Sequence, residues 1–119
     1  MIKQFLLVGV GGALGSVLRY AGNLLYSNRS FPVTTMLINI IGSFVIGIVI
    51  AYSIKSNASS NWKLFFATGL CGGFTTFSAF SLENLLLIQN GKFFLSLFYI
   101  IGSIVMGITA AWLGYKLIN

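Results

Sequence analysis

Phe77 and Phe80 stand three residues apart, which puts both rings on one face of a helix, and Ser81 and Asn84 continue that face. An aromatic ring carries partial positive charge around its edge, so a pair of ring edges can face an anion in a passage that excludes cations. Packing is the commoner use of such a pair. Asn39 heads a second polar set, with Thr35 and Ser43 on its face at four-residue spacing. Its amide offers two donor hydrogens, which suit an anion partly stripped of water as well as a bond to another helix. Glu83 is the sole acid of the chain, and Arg19 is followed by Tyr20 and six more residues before the first polar connector. Glu83 suits a proton-coupling group, a vestibule residue or the partner of a base. Arg19 suits a headgroup anchor or the mouth of an anion pathway.

Other chemistry is short of parts. The chain has no His, one acid and one Cys, Cys71. A metal site of side chains needs several His, Cys or carboxylate ligands, and a nucleophile needs a base beside it. An enzyme is not expected. The net charge of +6 comes from single, scattered residues (Lys3, Arg19, Arg29, Lys55, Lys63, Lys92, Lys116). No run of them makes a phosphate-binding stripe, so nucleic acid is not a partner. Most flank apolar segments, where they anchor helices at lipid headgroups.

The elements that must position these residues belong in a membrane. Of 119 residues, 57% are apolar and 7% charged, where a soluble domain carries about 25% charged residues. Spanning the bilayer takes about 20 predominantly apolar residues, and the chain offers four such stretches, about 4–25, 34–54, 62–88 and 93–117. Polar connectors separate them: Ser27 to Ser30, Lys55 to Asn61 and Gln89 to Lys92. Pro32 falls where a helix can start without losing an internal bond. The first stretch, with Lys3 before an apolar run, has the look of a secretory signal, but no soluble domain follows it. One four-helix membrane domain over residues 1–119 is expected.

The third stretch is long for a span and reads Gly72-Gly73-Phe74-Thr75-Thr76-Phe77-Ser78 at its middle. Paired glycines and threonines are poor helix formers, so a break is expected at 72–76. A broken helix survives in a membrane only where its freed backbone groups are buried in protein or face a polar cavity. Gly11 and Gly15 in the first stretch, and Ser103, Gly107 and Ala111 in the fourth, form small-residue stripes that let helices approach closely. The run from Gly9 to Gly15 resembles a dinucleotide loop only superficially, since no strand precedes it.

Three blocks together resemble the Fluc (CrcB) family of fluoride channels, along essentially the whole chain. They are Gly11-Gly12-x-x-Gly15-x-x-x-Arg19-Tyr20, Asn39-x-x-Gly42-x-Phe44, and Gly69-x-x-Gly72-Gly73-Phe74-Thr75-Thr76-Phe77-Ser78-x-Phe80-Ser81. Ser16, where Ala is frequent, is a minor departure. The resemblance implies an all-α integral membrane protein of the bacterial plasma membrane, assembled as an antiparallel, dual-topology dimer with two fluoride pores. Phe77 and Phe80 would line the pores, with Asn39, Ser78, Tyr99 and Ser103 as polar contacts and Arg19 and Glu83 near a vestibule. Backbone carbonyls of Gly72 and Thr75 from both copies would hold a central structural sodium ion. Fluoride would leave the cytoplasm passively.

The flanking charges bear on orientation. Lys3, Lys55, Lys63 and Lys116 fall on one side and Arg19, Arg29 and Lys92 on the other. A fixed orientation shows a clear Lys/Arg excess inside. Four against three leans towards a dual-topology homodimer, and four against two, with Arg19 set aside, leans less. Pairing with a paralogue remains an alternative. A small multidrug transporter has similar length but would need an acid in the first stretch. A holin-like, non-transporting subunit would need neither the Asn39 face nor the glycine break.

Overall fold

A computed structural model describes residues 1–25 and 32–119. The first connector, with Arg29, lies outside the described residues. The chain forms α1 (Ile2–Leu25), α2 (Val33–Lys55), α3 (Ser60–Lys63), a π-helical stretch (Leu64–Cys71), α4 (Gly72–Phe74), α5 (Phe77–Gln89) and α6 (Phe93–Ile118). Among the described residues four spans are long and apolar enough to cross a membrane, the third being the composite Ser60–Gln89. They extend the stretches expected from sequence by one or two residues at most ends. This is a multi-pass membrane protein.

Local chemistry sets the helix ends. Ser59 caps α3 by accepting the Trp62 N–H. The ends of α2 and α5 share one device. Ala58 N–H returns to Ser53 C=O at 2.9 Å and Lys92 N–H to Leu87 C=O at 2.8 Å. The residue before each donor, Asn57 at φ 55° and Gly91 at φ 77°, takes the left-handed conformation such a cap requires. Lys55 Nζ donates to Ile118 C=O at 3.3 Å, so Lys55 and Lys116 share one end of the bundle, as the alternation of spans requires.

The spans pack through glycines. α2 lies at the centre, against α6 above all, and α1 lies along the π-helical stretch and α4. A side chain at Gly47 would meet the Ala111 carbonyl, and one at Gly114 the Phe44 carbonyl, so α2 and α6 touch backbone to backbone. Gly15 lies likewise against Leu70 C=O, and Gly73 against Gly12. With no hydrophobic effect between helices in lipid, such close approach is what holds them together.

The break is where the sequence placed it, but narrower. Gly72 and Gly73 remain helical, and the extended residues are Thr75 and Thr76. Gly73 serves instead as a contact surface for α1, against Gly12, while Gly72 faces largely open space. The π-helical winding of the eight residues before them was not anticipated. A run apolar on every side, as lipid requires, carries no periodicity from which to read the number of residues per turn.

Candidate functional site

Three helices rebuild the hydrogen bonds that the break gives up. Thr75 ends the helix by directing both its N–H (3.0 Å) and its hydroxyl (2.9 Å) to Cys71 C=O. Asn39 of α2 then pairs with Thr76 as a strand neighbour would: Thr76 N–H donates to Oδ1 at 2.8 Å, and Nδ2 donates to Thr76 C=O at 3.1 Å. Arg19 of α1 donates from Nε to Gly73 C=O at 3.2 Å. The Thr76 hydroxyl caps α5 by accepting Ala79 N–H at 3.2 Å and lies 3.3 Å from Ser78 Oγ. Re-bonding of this kind is the condition for non-helical backbone at membrane depth.

The break also takes the helical partners from the carbonyls of Gly72 and Thr75. The helical partner of Gly72 C=O would be Thr76 N–H, which has turned to Asn39. Thr75 precedes the capping residue of α5, so its carbonyl falls outside that helix. Gly72 and Thr75 both line an open groove of about 350 Å³, with Asn39, Ser43, Thr68 and Phe77 among its walls. Among the described residues no group of three or more His, Cys, Asp or Glu could hold a metal. Neutral carbonyl oxygens without a carboxylate suit a hard monovalent cation.

A second array runs from the break along α5. The Phe77 ring, 78% exposed in the single chain, lies 5.6 Å from that of Phe80. Phe80 in turn meets the fully buried Tyr99 of α6 edge to face, at 4.9 Å and 65°. The Tyr99 hydroxyl donates to Glu83 Oε1 at 2.7 Å, and the Thr35 hydroxyl of α2 donates to Glu83 Oε2 at 2.6 Å. One turn beyond Tyr99, Ser103 Oγ is buried without a hydrogen-bond partner among the described residues. α2, α5 and α6 thus converge on one carboxylate beside the tilted pair of phenylalanine rings.

The structure brings Phe77, Phe80, Glu83 and Tyr99 into one continuous array and places Ser103 at its end on α6. Ser78 sits at the break beside Thr76. Asn39 and Arg19 bond to the backbone of the break, and among the described residues one Asn39 amide hydrogen is left for another partner. Sequence reasoning missed that Thr35 binds Glu83. The four-residue spacing from Thr35 to Asn39 was a visible signal of a shared face, but the partner lies 48 residues away.

The family model described as CrcB-like protein, Camphor Resistance (CrcB), matches residues 6–115. The chain belongs to the CrcB family. The curated relatives of this CrcB chain include the fluoride-specific ion channel FluC of Azobacteroides pseudotrichonymphae, 47% identical over 98% of this chain and 97% of the relative. A protein of the same name from Thermus thermophilus is 43% identical over 98% of this chain and 95% of its own length. That of Oceanobacillus iheyensis is 43% identical over 98% and 92%.

Proposed function

We propose that this chain is a fluoride-selective, passive channel that lets fluoride leave the cytoplasm, working as an antiparallel homodimer with two pores. The continuous array from Phe77 through Phe80 and Tyr99 to Glu83 and Thr35 carries this reading. Full-length relatives named as fluoride-specific channels support fluoride as the ion. Efflux of fluoride from liposomes holding only this protein, with chloride as control, tests it.

Fluoride is small and strongly hydrated, so a pathway must offer donors wherever it strips water. Ring edges supply weak positive charge in a wall that gives a cation no ligand. The hydroxyls of Tyr99, Thr35 and Ser103 supply donors further along. Because Glu83 holds the first two by their hydrogens, an anion competing for them does so against a carboxylate's repulsion. That keeps binding weak enough for the ion to leave, as conduction requires. A single acid, hydrogen-bonded to two hydroxyls, is thin material for obligatory proton exchange, and no acid lies in α1 to serve multidrug exchange.

A second copy completes the walls. Phe77 and the groove at Gly72 are open in the single chain, and a pathway open to lipid along one side would not conduct. Gly72 and Thr75 of both copies would hold a structural sodium ion through their carbonyls; when bound, it supplies positive charge that neutralises facing carbonyl dipoles. A side chain at Gly72 would come no nearer than 3.9 Å, to Ala67 C=O within its own chain. Gly72→Val therefore leaves the subunit's own packing intact but lowers dimer yield or flux, read by size exclusion and liposome assay. A divalent metal at this position in anomalous scattering would contradict the monovalent site.

Orientation gives another expected result. Arg19 is engaged with Gly73, so the flanking charges stand at four against two, Lys3, Lys55, Lys63 and Lys116 against Arg29 and Lys92. That is the less even count, and the dual topology rests on the family resemblance rather than on this bias. Reporters fused to the C-terminus should show both orientations in one membrane. A single orientation in cells expressing only this chain favours a paralogous partner.

A further inference from the structure

We propose that Ser96 and Asn84 are positioning residues, a buried polar bracket that sets the register of α5 on α6 and so places Phe80 and Glu83 against Tyr99. This rests on the channel reading above but names residues that stand outside the ion's path. Ser96 Oγ donates to Asn84 Oδ1 at 2.7 Å, and Asn84 Nδ2 donates to Phe80 C=O at 2.9 Å. Ser96 is 1% exposed and Asn84 7%. These side chains are closed off from lipid and solvent, so their bonds serve the protein alone.

The bracket sits where a small slip would matter most. α5 begins at the break, where Thr75 and Thr76 interrupt the helix, and packs mainly against α6, with a smaller contact to α2. Apolar side-chain contacts between two lipid-immersed helices specify register less sharply, since lipid solvates much of the same surface nearly as well. A buried hydrogen-bonded pair specifies it, because a slip leaves a donor or acceptor unpaired in hydrocarbon. Single buried polar pairs fix register in coiled coils on this principle. Here Asn84 follows Glu83 directly and holds the carbonyl of Phe80, while Ser96 lies three residues before Tyr99. The bond between them therefore joins the turn that carries Phe80 and Glu83 to the turn that carries Tyr99.

The test uses the full-length, purified and reconstituted protein, with 3-fluorotyrosine incorporated and the Tyr99 fluorine resonance assigned by its loss in Tyr99→Phe. Ser96→Ala should lower fluoride flux per purified dimer at least tenfold and shift that resonance, and Ser96→Thr, which keeps the hydroxyl, should recover both in part. Asn84→Leu combined with Ser96→Ala removes both polar partners and leaves no orphaned group. It should assemble normally and still lose flux, because the register is no longer specified. Flux within twofold of wild type in both Ser96→Ala and the double variant overturns the proposal, as does lost flux with an unmoved Tyr99 resonance. Failure of both to assemble assigns the pair to folding alone and equally overturns it. If the wild type itself carries no fluoride, the channel reading fails, while the resonance still reports whether the bracket places Tyr99.

Discussion

Phe80→Ile should lower fluoride flux by roughly a hundredfold while the protein still purifies as an intact assembly, and Phe77→Ile should follow it along the same pathway. Such a drop corresponds to about 2.7 kcal/mol of lost stabilisation for the crossing ion. That is a reasonable size for removing a positive ring edge from a low-dielectric passage. Isoleucine keeps a hydrophobic wall of similar bulk, so the packing cost is under about 1.5 kcal/mol. The two sites differ in one respect. Phe80 also gives up its edge contact with Tyr99, worth about 0.5–1.5 kcal/mol, and its variant should melt at lower temperature. Phe77, 78% exposed in the single chain, has little packing within its own subunit to lose. Undiminished flux in both variants would remove the rings from the mechanism and leave the hydroxyls to carry it.

Gly15→Val should give almost no folded protein, whereas Gly9→Val, six residues earlier on the same helix, should purify as the wild type does. A side chain at Gly15 would drive into the Leu70 carbonyl and crowd Phe74 N and Gly73, while at Gly9 nothing lies within 4 Å. Overpacking within a core costs about 1–3 kcal/mol, and here both surfaces are backbone, with no flexible side chain to yield. Pushing α1 away also draws Arg19 off Gly73 C=O and leaves that carbonyl unpaired at membrane depth, at a further cost of about 1–3 kcal/mol. Yield from detergent extracts and the thermal midpoint measure the effect. Equal behaviour of the two variants would mean that α1 does not dock on the break through Gly15.

What could be read in the sequence followed from how costly each feature is in lipid. The four spans were legible because apolar length is the dominant signal for a bilayer. The break was legible because Gly72-Gly73 and Thr75-Thr76 disfavour helix together. Its exact place was not, because only tertiary partners decide which backbone groups can be released. Asn39 and Arg19 supply those partners from α2 and α1, 37 and 54 residues distant. The sequence presented Arg19 as an anchor or pore-mouth residue and left Asn39 divided between anion and helix contact. Their bonds to Thr76 and Gly73 are long-range facts with no local pattern. Phe77 and Phe80 were visible through spacing, but the route onward from Phe80 to Tyr99 depends on how α5 lies on α6. The link from Glu83 to Thr35 needs α2 as well.

Fluoride efflux from liposomes that contain only this purified protein, with internal and external pH equal and potassium permeability supplied by an ionophore, tests the central claim most directly. Fluoride should empty from the vesicles within seconds, chloride in parallel vesicles should stay inside, and no proton gradient should be needed. Retention of fluoride, equal release of chloride, or strict dependence on a proton gradient would contradict a passive fluoride channel.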